Sequence, residues 1–205
     1  AANRLNARLK KAPEKQYCTD VDALITMINP KTKLIFLANP NNPTGTAIEI
    51  DEITRLIKKM PSNIVLVLDL AYGEFVGFDY CKKIHGLVGQ YENVVVTRTF
   101  SKAFGLAGLR VGYFIGPKNI ADAVRKTAVP FGVSNIAQVA AVASLEHEAE
   151  LFKRVEEVIT ERTWFESELT KLGFKLPHSQ ANFVWIPLGE RTEEFALRSE
   201  GIAVS

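Results

Sequence analysis

The chain has 205 residues, of which 47% are hydrophobic and 23% are charged, as in ordinary globular proteins. Its 25 basic and 23 acidic residues leave a net charge of +2, which gives no reason to expect nucleic acid or an anionic membrane as a partner. No apolar run approaches the roughly 20 residues that a membrane helix requires. Cys18 and Cys81 are too few for a disulfide framework, so we expect free thiols in a cytoplasmic protein.

Both ends of the sequence look interrupted. Residues 1–11 predict a helix with no start signal before it, and residues 201–205 resemble a strand that has only begun. We therefore expect a piece of a longer protein.

The first half of the chain alternates between helix and strand patterns. Residues 20–28 predict a helix capped by Asp20, and residues 50–60 predict an amphipathic helix. Short apolar runs predict buried strands at residues 34–38, 64–68 and 94–96, with a further strand at 111–115. The first of these strands is predicted to be covered on both faces. The stretch after the second, which contains Gly73, Gly77 and Gly86, is predicted to be a loop. This order predicts an α/β fold with a mainly parallel sheet and helices on both of its faces.

Beyond residue 119 the pattern is mainly helical. The predicted helices are residues 120–128, 135–145, 148–172 and 193–198, and the predicted short strands are residues 174–176, 181–186 and 202–204. Charges of both signs over residues 146–162 indicate a solvated helix face. We expect residues 1–147 to belong to a large domain and residues 148–205 to a smaller α+β domain.

Polar side chains follow three of the predicted strands, and ligands of open parallel sheets bind at the carboxyl ends of strands. In chain order they are Asn42, then Asp69 and Tyr72, then Thr99, Ser101 and Lys102. Arg110 can return to the same crevice because glycines at 105, 108 and 112 let the backbone fold back.

This combination of side chains suits pyridoxal 5′-phosphate. A lysine that attacks carbonyls forms Schiff bases, and pyridoxal phosphate is the usual partner in that reaction. Asp69, expected to be buried beside a positive partner, would hold the pyridine nitrogen protonated. Asn42 and Tyr72 suit the ring oxygen, and Arg110, Ser101 and Thr99 suit the phosphate.

Each of these residues taken alone has an ordinary structural explanation, such as a capping aspartate or a solvated lysine. Their joint occurrence at strand ends favours the cofactor. No metal site is predicted, because the two cysteines have no metal-ligand spacing and His85, His147 and His178 are expected to be solvated.

Three segments resemble the signature segments of the fold-type I pyridoxal-phosphate aminotransferases, in the family's order: LANPNNPTGT, DLAYGEF and TFSKAFGLAGLRVGY. The chain is most similar to the histidinol-phosphate aminotransferases and their relatives that act on aromatic amino acids. The resemblance implies that Lys102 binds the cofactor covalently and then moves a proton between Cα and C4′. It implies the roles given above for the other residues, and it places Asn182 of SQANFVWIPLG near the mouth of the active site.

The resemblance implies transamination between a phenylalanine-type amino acid and a 2-oxo acid such as 2-oxoglutarate, by a cytoplasmic homodimer of amino-acid biosynthesis. Alternatives are a histidinol-phosphate aminotransferase of histidine biosynthesis, a non-catalytic effector domain of a transcription regulator, and a related decarboxylase. The family's phosphate-binding loop, ring-stacking aromatic and substrate-carboxylate arginine match nothing in this sequence. The resemblance therefore supports cofactor attachment more strongly than independent activity.

Overall fold

The computed structural model describes residues 7–199. Its strands are β1 (Glu14–Lys15), β2 (Cys18–Thr19), β3 (Leu34–Ala38), β4 (Val65–Asp69), β5 (Val94–Thr99) and β6 (Gly112–Ile115). Its helices are α1 (Val21–Met27), α2 (Ile50–Lys59), α3 (Phe78–Gln90), α4 (Lys118–Thr127), α5 (Asn135–Glu146), α6 (Glu148–Lys171) and α7 (Thr192–Arg198). None of these helices is both long and apolar enough to cross a membrane.

The main sheet has the order β3–β4–β5–β6. The first three strands are parallel, and β6 runs antiparallel to β5. Ala38 pairs with Asp69, and Asp69 pairs with Thr97, so the carboxyl ends of the parallel strands lie at one edge. Gly112 pairs with Thr99, which brings the start of β6 to the same edge.

One face of the sheet carries the main core. Alternate residues of the strands, such as Leu66, Leu68 and Val96, are fully buried against this face because side chains on a strand point to opposite sides in turn. The helices α2 and α3 cover them with buried side chains that include Leu56 and Ile84. This packing holds the strands that position the site.

The other face of β3 is open in the described structure, so the prediction that this strand is covered on both faces is wrong there. Leu34 is 53% exposed and Phe36 is 68% exposed. The strand was predicted correctly over residues 34–38, but an uninterrupted apolar run does not reveal whether a neighbour covers its second face.

The helix α3 was predicted as a loop. Its buried residues Cys81, Ile84 and Leu87 recur every three residues, which is helical spacing. Glycines in and before this stretch pointed to a loop, but the burial of this apolar stripe outweighs their low helix propensity. The predicted cap of α1 is confirmed, since the Asp20 carboxylate accepts a hydrogen bond from Ala23 N at 3.0 Å.

Predictions near the two ends are corrected where the structure describes them. Residues 7–11 are not helical, and residues 174–176 and 181–186 form no strands. In this later region backbone groups bond to side chains and to a distant loop instead of a strand ladder: Ser179 N donates to Glu166, and Gln180 N to Gly45 O. Residues 1–6 and the strand predicted at 202–204 lie outside the described residues.

Candidate functional site

The loop after β3 is held in place by a buried asparagine. Asn39 is 1% exposed, and its side chain accepts from Ile48 N at 2.8 Å and donates to Ile48 O at 3.1 Å. These two bonds close residues 39–48 into a compact loop. The loop presents Asn42, whose Nδ2 donates to Tyr72 Oη at 2.9 Å.

The loop after β4 carries Asp69 and Tyr72. The Asp69 carboxylate accepts from Ala71 N at 3.0 Å, a local turn typical of aspartate. The chain then enters a short 3-10 helix, Gly73–Phe75, that leaves Tyr72 only 6% exposed. The prediction that Asp69 is buried beside a positive partner is wrong: its side chain is exposed, and within residues 7–199 no basic side chain pairs with it. A strand end that opens on a cavity does not bury its last side chain.

The loop after β5 carries Lys102 and the predicted phosphate ligands. Lys102 is exposed, and its Nζ lies 5.2 Å from the centre of the Tyr72 ring. Thr99 Oγ1 accepts from Ser101 N at 3.1 Å, which turns the chain at the end of the strand. Arg110 has a left-handed backbone (φ 53°), and its guanidinium donates to Ala107 O at 2.8 Å.

Gly112 brings Arg110 back to this edge. A Cβ at residue 112 would lie 2.6 Å from Arg98 O, so β6 can pair this closely with β5 only with glycine there.

A cavity of about 340 Å³ lies at this edge of the sheet. Its lining includes Asp69, Thr97, Thr99, Ser101, Lys102 and Arg110. Asn42 and Tyr72 adjoin it through the contact between the Tyr72 ring and Lys102. Asn182 is exposed and is not among the residues that line this cavity. A larger cleft of about 500 Å³ at the start of α4 contains none of the predicted residues.

Beside this edge lies a buried ion pair that the sequence did not indicate. Arg98 of β5 pairs with Glu74 of the 3-10 helix, and both side chains are 5% exposed. Burial lowers the pKa of Arg98, but the neighbouring groups, led by the Glu74 carboxylate, together outweigh burial and the net direction is upward. The pair fastens the turn that carries Tyr72 to the strand that leads to Lys102.

His85 of α3 completes this cluster and is not solvated as predicted. Its Nε2 lies 2.8 Å from Arg98 Nη1, and because a guanidinium only donates, the imidazole accepts and is neutral at this nitrogen. Burial lowers the pKa of His85, and the charge of Arg98 lowers it further. The other two histidines are exposed, as predicted, and His178 Nδ1 lies 3.0 Å from Glu166.

Comparison with known proteins identifies the family. Residues 3–205 match the model of the aminotransferases of class I and II, and the chain belongs to this family. An aromatic amino acid aminotransferase of Mycobacterium avium (strain 104) is 46% identical over 185 residues, which are 90% of this chain and 52% of that protein. The chain spans about half the length of the curated relatives it matches.

Solved structures agree with the fold. Histidinol-phosphate aminotransferase from Sinorhizobium meliloti, in complex with pyridoxal-5′-phosphate, superposes with a TM-score of 0.82 at 32% identity, covering 91% of this chain and 51% of that one. Histidinol-phosphate aminotransferase from Clostridium acetobutylicum shares the fold with a TM-score of 0.86 at 24% identity, covering 98% and 62%. The predicted fold class and the resemblance drawn from three segments are therefore confirmed.

We predict that Gly45→Ala is strongly destabilising. Gly45 has φ +73°, and a Cβ there would lie 2.3 Å from Oγ of the fully buried Ser179. Gly173→Ala is the matched control, since Gly173 has φ +89° but nothing within 4 Å of its Cβ position. Urea denaturation should show that Gly45→Ala lowers the free energy of unfolding by about 1–3 kcal/mol more than Gly173→Ala does. Equal losses would show that the loop and residue 179 do not pack as described.

Proposed function

We propose that this protein is a pyridoxal-phosphate-dependent aminotransferase (EC 2.6.1 type) that moves an amino group between a phenylalanine-type amino acid and a 2-oxo acid such as 2-oxoglutarate. The observation that carries the proposal is the placement of Lys102 Nζ 5.2 Å from the Tyr72 ring, on a cavity lined by Asp69 and Arg110. The aromatic substrate is supported by the 46% identity to an aromatic amino acid aminotransferase.

The side chains around the cavity fit pyridoxal phosphate. An amine, a carboxylate, two guanidiniums and three hydroxyls line a space of about 340 Å³, and these are the kinds of group that an aldehyde, a pyridine nitrogen and a phosphate require. Lys102 would take the aldehyde and Asp69 the ring nitrogen. Arg110, Ser101 and Thr99 would take the phosphate.

Asn42 and Tyr72 would act together at the ring oxygen. Because Asn42 Nδ2 donates to Tyr72 Oη, the tyrosine hydroxyl keeps its own hydrogen for another acceptor. Tyr72 is held by burial of its ring against Phe183, 5.2 Å away in an edge-to-face arrangement. This packing restrains the tyrosine ring and thereby fixes the direction of its hydroxyl group.

The bound cofactor supplies an electron-withdrawing ring conjugated to the amino acid. Lys102 would carry the proton on its Nζ between Cα of the substrate and C4′ of the cofactor. A positioned general base of this kind contributes about 10²–10⁴-fold to the rate. Lys102 is exposed and lines the cavity in which both of these atoms would be bound.

The wider setting is also proposed. We infer a homodimer that works in the cytoplasm without nucleic acid or membrane partners, in line with a net charge of +2 and two free thiols. Residues 1–147 would belong to the cofactor-binding domain, and residues 148–205 to the smaller domain. Asn182, which is exposed, would lie near the incoming substrate.

Histidinol phosphate is the second candidate donor. The structural similarity to the Sinorhizobium meliloti enzyme, at 32% identity, favours it. A non-catalytic effector domain and a decarboxylase rank below both, since the curated relatives at 43–46% identity are named aminotransferases.

We predict that the full-length protein transaminates phenylalanine with 2-oxoglutarate, with a kcat/KM above that for histidinol phosphate. The two donors should be assayed side by side on one preparation with added pyridoxal phosphate. A large advantage for histidinol phosphate would assign the protein to that branch. Absence of transamination with both donors would contradict the proposal, and carbon dioxide release without dependence on 2-oxoglutarate would indicate the decarboxylase.

Asp69→Asn should preserve cofactor binding and lower turnover by at least about 10²-fold, because a neutral amide cannot keep the pyridine nitrogen protonated. The asparagine oxygen can still accept from Ala71 N, so the turn should persist. Asp51→Asn, an exposed change in the first turn of α2, is the control and should leave turnover near wild type. Near-normal turnover in Asp69→Asn would remove the proposed role.

A further inference from the structure

Arg162 of α6 is a buried arginine that bonds two distant segments. It is 8% exposed, although its place in a run of mixed charges predicted a solvated helix face. Its Nη1 donates to Ala181 O at 2.6 Å and lies 3.4 Å from Phe75 O. One guanidinium thus joins residues 179–183 to the 3-10 helix that follows Tyr72.

Stability alone does not explain this arginine. Within residues 7–199 no carboxylate lies within ion-pair distance of it, and its Nε has no acceptor. Burial lowers the pKa of Arg162, and the nearby charge of Glu166 only partly offsets this. A buried charge without a paired carboxylate is costly, and an apolar side chain would fill the same space without that cost. Compared with an apolar side chain, the guanidinium adds the hydrogen bonds to Ala181 O and Phe75 O.

Residues 179–183 have no regular secondary structure, and side chains hold their shape. One turn along α6 from Arg162, Glu166 Oε1 accepts from Ser179 N at 2.7 Å. Ser179 Oγ donates to Phe183 O at 2.6 Å and accepts from Ala181 N at 3.2 Å. Two side chains of α6 therefore hold the segment: Glu166 accepts from one of its backbone N–H groups, and Arg162 donates to one of its carbonyls.

The same segment contacts the loop that presents Asn42 and the ring of Tyr72, the two residues proposed to meet the cofactor's ring oxygen. Gln180 N donates to Gly45 O at 2.7 Å, in the loop that presents Asn42. The Phe183 ring packs edge-on against the Tyr72 ring at 5.2 Å. The position of residues 179–183 therefore affects the position of the Asn42–Tyr72 pair. Asn182 lies in this segment, between Gln180 and Phe183.

We propose that Arg162 is a positioning residue, which fixes residues 179–183 against the Asn42 loop and the Tyr72 turn and thereby shapes the binding place of the amino acid. The effect on binding of the amino acid rests on the proposed function. The anchoring of residues 179–183 by Arg162 does not. Loss of the guanidinium should loosen the segment and weaken substrate binding more than it slows turnover.

The test compares three variants of the full-length protein. Arg162→Met keeps the volume and removes the donors, and Arg162→Gln keeps one short amide donor. Arg154→Met is the matched control, because Arg154 is exposed on the same helix. Hydrogen exchange at the Gln180 amide measures the segment directly, since that amide bonds to Gly45 O and not to Arg162.

Arg162→Met should raise the exchange rate at Gln180 by about tenfold or more, the effect of losing a charge-assisted hydrogen bond. The KM for phenylalanine should rise by a similar factor, and kcat should change less than KM. Arg162→Gln should lie between Arg162→Met and wild type in both readouts, and Arg154→Met should match wild type.

Wild-type exchange and wild-type KM in a folded Arg162→Met variant would overturn the inference. If that variant does not fold, the same result in Arg162→Gln would overturn it. If the wild-type enzyme transaminates neither donor, the proposed function fails. The exchange rates at Gln180 still decide whether Arg162 positions the segment.

Discussion

The shared carboxyl edge of three parallel strands is the constraint on which the site depends. Because Ala38, Asp69 and Thr97 lie side by side in register, the loops that follow β3, β4 and β5 have to emerge together. The loops then pack against each other, and hydrogen bonds between them fix their conformations. Asn42 bonding to Tyr72 is one such bond, and it joins two of these loops directly.

Buried polar side chains fasten this edge to the rest of the molecule. Asn39 closes the first loop, Arg98 with Glu74 ties the second to β5, and Arg162 ties the second to residues 179–183. Buried polar groups are costly unless they are bonded, so a loop held in this way has few alternative shapes. Such a frame can hold an exposed lysine and an exposed aspartate at fixed places while both remain open to a ligand.

Local patterns predicted the strands of the main sheet, the polar residues at their ends and the family, because apolar runs and turn residues are read from neighbouring positions. They failed where burial depends on distant partners. Arg162 looks like a solvated charge until Ala181 and Phe75 are placed beside it, and His85 looks solvated until Arg98 faces it. The prediction for Asp69 was wrong in the opposite sense. Its side chain was expected to be buried at the strand end, but that strand end opens on a cavity.

Above all, we propose that Lys102 is the residue that binds pyridoxal phosphate. Borohydride reduction of the full-length protein with its cofactor, followed by peptide mass mapping, measures this directly. We predict a pyridoxyl adduct on the peptide that contains Lys102, and the loss of this adduct in Lys102→Ala. An adduct on another lysine, with Lys102 unmodified, would contradict it.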